Sequence, residues 1–86
     1  MPYKINLHPK AQKDCQYWRK HNLGHLRKIK QLLKAIRENP FEGIGKPEPL
    51  RYDLQHLWSR RITDKHRIWY EVEGNLITIL RCYGHY

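Results

Sequence analysis

The period of the hydrophobic pattern changes along the chain. Leu26, Ile29, Leu32, Leu33 and Ile36 fall at spacings of three, three, one and three residues. That is one apolar stripe on an amphipathic helix, with Lys28, Lys30, Lys34 and Arg37 on its other faces. Asn39-Pro40 stops it, because the residue before a proline is pushed out of helical backbone. An earlier helix opens at His8-Pro9 and runs to about Asn22. Pro9 suits its first position, where the missing N–H would have had no partner anyway. Tyr17 and Trp18 are its bulkiest side chains, Ala11 and Cys15 sit four apart, and Asn22-Leu23-Gly24 breaks it. The two helices form an antiparallel hairpin. Before them, Tyr3 to Leu7 alternates polar and apolar residues and reads as a short strand.

After the helices the period becomes two. Leu57–Ile62, Arg67–Val72 and Leu76–Cys82 read as three strands, with Gly74-Asn75 a tight turn between the last two. Short connections make them antiparallel neighbours. In the middle strand Ile68, Tyr70 and Val72 share the face that packs on the helices. Arg67, Trp69 and Glu71 share an open, partly cationic face. Phe41 to Pro49 holds two Gly and two Pro and is expected to be an ordered loop. The fold class is α+β: an N-terminal strand and a two-helix hairpin on a small, mostly antiparallel sheet, in one domain spanning 1–86.

Composition adds a partner class. The chain has 86 residues, with 17 Lys plus Arg against 8 Asp plus Glu, a net charge of +9. Such an excess favours a polyanion: nucleic acid, an anionic membrane surface or an acidic protein. No apolar run approaches the roughly 20 residues of a membrane span, and the N-terminus lacks a signal peptide's apolar stretch. The expectation is therefore a cytoplasmic protein without a membrane partner. Cys15 and Cys82 belong to no CxxC unit, and two reduced thiols suit that compartment.

Candidate chemistry gathers in three places. Glu48 lies between Pro47 and Pro49, where the backbone is stiff and extended; its carboxylate is either a general base or an arginine's ion-pair partner. Arg60, Arg61 and Arg67 lie on adjacent strands, and 61 and 67 can meet across the Thr63-Asp64 turn. Clustered guanidiniums suit phosphate, or else form a solvated basic face. The chain closes on His85-Tyr86, directly after the apolar run of the last strand. An imidazole there can move protons near neutral pH and a phenol can stack on a base; the alternative is a frayed end. A terminus past the last strand is expected to have few contacts, so that a partner could displace it easily. His21 and His25 are spaced four apart but have no third ligand, so no metal or other cofactor is expected. Gly43-Ile44-Gly45-Lys46 lacks the Ser/Thr and helix of a phosphate loop. Trp58 and Trp69 belong to the core or an interface more readily than to base stacking.

Pro40-Phe41-Glu42-Gly43, Gly45-Lys46-Pro47-Glu48-Pro49-Leu50, Trp58-Ser59-Arg60-Arg61-Ile62-Thr63, His66-Arg67, Tyr70 and His85-Tyr86 together resemble the YoeB/Txe toxins of the RelE/ParE toxin–antitoxin superfamily. The resemblance runs nearly the length of the chain. It implies a RelE-like microbial ribonuclease fold and a ribosome-dependent endoribonuclease that cleaves mRNA in the decoding site. It implies an acidic YefM/Axe-like antitoxin, the ribosome and mRNA as partners, and it admits a homodimer. By position, Glu48 matches the family's general base, Arg67 its phosphate-binding arginine, His85 its general acid and Tyr86 its terminal tyrosine. Lys46 and Arg61 match supporting basic residues, and Arg60 joins them as a phosphate-binding candidate. His85 is the alternative base if Glu48 is tightly paired. Tyr83 stands where many relatives carry a basic residue, and Trp69 where a small β-branched one is usual. The other readings are a non-catalytic basic nucleic-acid-binding module and a ParE-like gyrase-inhibiting toxin; neither needs Glu48 or His85.

Overall fold

The computed structural model of the chain describes residues 3–50 and 56–84. Its elements are β1 (Lys4–Leu7), α1 (Pro9–His21), α2 (Leu23–Glu38), β2 (Glu48–Pro49), β3 (Leu57–Arg61), β4 (Arg67–Glu73) and β5 (Leu76–Arg81). The sheet order is β1-β5-β4-β3-β2, with β1 parallel to β5 and every other pair antiparallel. Both helices lie on one face of this sheet. Among the described residues, no helix is long and apolar enough to cross a membrane.

The helices begin and end as local chemistry requires. Pro9 takes the first helical position of α1, and the His8 ring accepts the Lys10 N–H at 3.1 Å. The expected three-residue break is a single residue. Asn22 adopts an extended conformation, donates its N–H to Trp18 O, and accepts the His25 N–H on its side chain at 3.1 Å. One asparagine thus closes α1 and caps α2, so Leu23 and Gly24 are already helical.

The core follows the stripe of α2. Leu26, Ile29, Leu32 and Ile36 pack on Ile68, Tyr70, Ile77 and Ile79 of the sheet. From α1, Ala11, Asp14 and Trp18 face inward, while Tyr17 is 43% exposed. Buried Asp14 is a linchpin the hydrophobic pattern does not show. It accepts the Cys82 N–H at 2.8 Å and takes two bonds from the Arg81 guanidinium, at 2.9 and 3.2 Å. Cys15 and Cys82 are free thiols.

Two departures from expectation shape the site. Residues 41–49 do not end as a loop, because Glu48 and Pro49 pair with Ser59 and Trp58 as an edge strand. An edge tolerates the missing N–H of Pro49. In addition, Trp69 pairs with Arg81 but Tyr70 with Ile79, so Leu80 is an extra residue and β5 bulges there.

Candidate active site

Cross-strand register assembles the open face of the sheet. Glu48 lies opposite Ser59, and Ser59 opposite Trp69. One step along, Arg61 lies opposite Arg67. Paired residues point to the same face, and diagonal neighbours lie about 7–8 Å apart, within a long side chain's reach. Glu48 and Arg67 lie on the strands that flank β3, and their side chains reach across it to bring Glu48 Oε2 and Arg67 Nη1 to 3.9 Å, with the Glu48 side chain 58% exposed. That distance is an ion pair without a hydrogen bond, so the carboxylate keeps its lone pairs for another donor. Arg61 reaches Asp64 only at 4.0 Å. Its Nε and the hydroxyl of Ser59 are buried without a partner among the described residues.

The loop before Glu48 is held from below by Arg60, which corrects the reading of that residue as a phosphate binder. Position 60 shares its face with Trp58 and Ile62, on the helix side, and is fully buried. Its guanidinium donates to Ile44 O at 3.1 Å, Glu42 O at 3.0 Å and Asn39 O, and its Nε to the Tyr70 hydroxyl at 3.1 Å. Tyr70 in turn donates to Pro40 O at 2.7 Å, and burial pushes its phenol pKa up. The donors of Arg60 are therefore spent on the chain's own carbonyls. The next residue ties the loop again, as the Arg61 N–H donates to Gly45 O at 2.7 Å. Gly45 has φ 84, and a Cβ there would sit 2.7 Å from Leu32 Cδ2. Only glycine fits between the loop and α2. Lys46 follows with φ 52 and an exposed side chain beside Glu48.

His85 and Tyr86 lie outside the described residues. The segment leading to them has more anchors than a chain end is expected to have. Trp18 Nε1 donates to Cys82 O at 2.8 Å, and Cys82 N to Asp14. Gly84 donates its N–H to His66 Nδ1 at 2.8 Å and accepts the Arg67 N–H at 2.9 Å. Gly84 is therefore held by the ring of His66 and the backbone of Arg67. His21 and His25 do not form a ligand set. Their rings pack on Tyr17 and Trp18, and no metal-holding group of three acidic, His or Cys residues occurs among the described residues. Trp58 packs edge-on against Phe41. A cleft of about 300 Å³, lined by His8, Lys10, Trp69, Leu80 and Arg81, lies on the β5 side of Trp69, away from Glu48.

The comparisons with known proteins decide the family. The family model for the YoeB-like toxin of bacterial type II toxin–antitoxin systems matches residues 7–86. The chain belongs to this family. It is 45% identical to the toxin YoeB of Escherichia coli (strain K12) over 73 residues, covering 85% of this chain and 87% of the relative. The YoeB dimer from Staphylococcus aureus superimposes with a TM-score of 0.89 at 40% identity over the whole of both chains. The toxin in a YoeB–YefM complex from the same species does so at 0.84 and 41%, also over the whole of both chains. A YoeB-like toxin thus accounts for the α+β fold, with two helices on a five-stranded, mostly antiparallel sheet.

Proposed function

We propose that this toxin is a ribosome-dependent mRNA endoribonuclease of the bacterial cytoplasm that cleaves without a metal ion. RNA supplies the nucleophile, its own 2′-hydroxyl. Glu48 takes the 2′-hydroxyl proton as the oxygen attacks phosphorus. The bond to the 5′-oxygen breaks, and His85 returns a proton to that oxygen. The products are a 2′,3′-cyclic phosphate and a 5′-hydroxyl. Arg67, with Arg61 beside it, meets the extra negative charge of the phosphorane. Lys46 adds a cation at the rim, and Tyr86 offers a ring to a base. The observation that carries this reading is Glu48 held 3.9 Å from Arg67, on the face where Arg61 Nε and the Ser59 hydroxyl lack partners among the described residues. A module that only bound nucleic acid would gain nothing from a carboxylate among its cations.

The +9 charge and the open cationic face support an acidic YefM-like antitoxin as inhibitor, since the S. aureus relative was solved with YefM. The S. aureus dimer supports a homodimer in solution. The deciding experiment supplies purified toxin to translating ribosomes and maps mRNA ends. Cleavage should leave 5′-hydroxyl ends that need phosphorylation before ligation. A ribosome-free arm with EDTA at high toxin concentration separates the metal question, because EDTA disrupts ribosomes. Intact mRNA on translating ribosomes, or metal-dependent cutting of free RNA, would overturn the reading.

A further inference from the structure

The turn between β3 and β4 is closed on itself. Thr63 Oγ1 accepts the N–H groups of Lys65 and His66, each at 3.1 Å. His66 O accepts those of Ile62 and Thr63 at 2.9 and 3.1 Å. The backbone of His66 is therefore fixed at both its donor and its acceptor. Its ring is walled by Trp18, Tyr83 and His25, with centroids 4.7, 4.8 and 5.8 Å away. From that fixed ring Nδ1 accepts the Gly84 N–H, while the adjoining Arg67 N–H takes Gly84 O. Successive residues thus hold both polar groups of a single residue. Gly84 has φ 75, so the chain changes direction where it is gripped.

We infer that His66 is a positioning residue: through its hydrogen bond to Gly84 it holds residue 84 at the backbone of Arg67, and the work of the proposed acid His85 depends on that hold. This rests on the ribonuclease reading above. The position asks for two properties together. A phenyl ring would fill the slot between Trp18 and Tyr83 but accept nothing. An asparagine would offer an acceptor at the place of Nδ1 and leave the slot half filled. Histidine supplies both. Arg67 carries the phosphate-binding side chain and its own backbone holds Gly84. The clamp therefore ties the residue before the proposed acid to the strand that carries the proposed phosphate binder, in addition to the core anchors at Cys82. Misplacement by about 1 Å can cost about 10²-fold in rate, so a small slackening here is measurable.

The test compares His66→Phe with His66→Asn in the full chain. Melting curves check the fold, NMR hydrogen exchange reads the Gly84 amide, and saturated single-turnover cleavage on mRNA-loaded ribosomes is measured beside ribosome binding. His66→Phe should strip protection from Gly84 and slow saturated cleavage by about 10²-fold, with ribosome affinity unchanged. His66→Asn should recover most of both. A third protein leaves His66 in place and exchanges the Gly84 N–H for an ester oxygen, by ligation at Cys82. It should reproduce the Phe loss, and it decides the matter if the Phe variant does not fold. Wild-type cleavage by the Phe or ester protein, or an Asn variant no better than Phe, would overturn the inference. If wild-type toxin leaves mRNA intact, the ribonuclease reading fails instead, and Gly84 exchange still shows whether His66 holds the segment.

Discussion

Arg60 and Arg61 are neighbours in sequence and opposites in use. The first points toward the helices, is fully buried, and gives its donors to three carbonyls and a phenol. The second points to the open face beside Arg67, and its Nε has no partner among the described residues. One guanidinium builds the loop that carries Lys46 and Glu48, and the other is proposed to meet the phosphate. The two faces of β3 thus separate architecture from chemistry, and substitutions on each should fail in different ways.

The largest effect is expected on the inner face. Arg60→Met should remove a buried bond to the Tyr70 hydroxyl and three part-buried bonds to carbonyls, each costing about 1–3 kcal/mol, and lose at least about 3 kcal/mol in urea unfolding. A loss below about 1 kcal/mol would erase the distinction between the faces. On the open face the sign of the comparison reverses. Glu48→Gln should slow single-turnover cleavage by about 10²–10⁴-fold and Arg67→Ala by about 10²–10³-fold, with unfolding midpoints nearly those of the wild type. Either variant melting early would mean that the pair is structural.

Gly45→Ala tests the junction of the two faces. Its positive φ and the approach to Leu32 predict a loss of about 1–2 kcal/mol, along with weaker cleavage as the loop shifts Glu48. Equal activity in a destabilised protein would show that the loop does not set the carboxylate. The smallest effect is a pH dependence. Tyr70→Phe should cost about 1–3 kcal/mol at neutral pH. Because the folded-state pKa of Tyr70 is raised above 10.0, the wild type's advantage is fully present below pH 10. It falls as pH rises through the folded value, where the unfolded phenol is already ionised. The gap between the two proteins should therefore narrow above pH 10. A constant gap would remove Tyr70 from this account.

Where side chains followed their usual habits, the sequence was easy to read. The stripe of α2 and the alternation of β4 are apolar residues packed where their period puts them, and the prolines around Glu48 announced extended backbone. Reading failed where a charged residue occupies an inward position. Arg60 and Asp14 look like surface residues by type, and a basic run hides the alternation of β3. Parity offered the signal for Arg60, because it falls between Trp58 and Ile62 on the same face. For Asp14 there was none, since its partners lie 67 and 68 residues away. The grip of His66 on Gly84 was equally invisible, being a contact between a turn and a distant backbone amide. That His25 and His66 lie near each other is likewise a product of the fold and not of spacing.

The parallel pairing of β1 with β5 bears on when this protein becomes itself. Lys4 to Leu7 are made before both helices, and they pair with Leu76 to Ile79, which are made after every other described strand. The bonds from Trp18 and Asp14 to Cys82 close loops of 64 and 68 residues. Contacts of such separation slow folding, because loop closure must come before they form. A chain still emerging can build its helical hairpin but cannot complete its sheet or seat residues 82–84. The toxin therefore cannot assemble the surface proposed to act on ribosomes until β5 and residues 82–84 have left the ribosome that makes it.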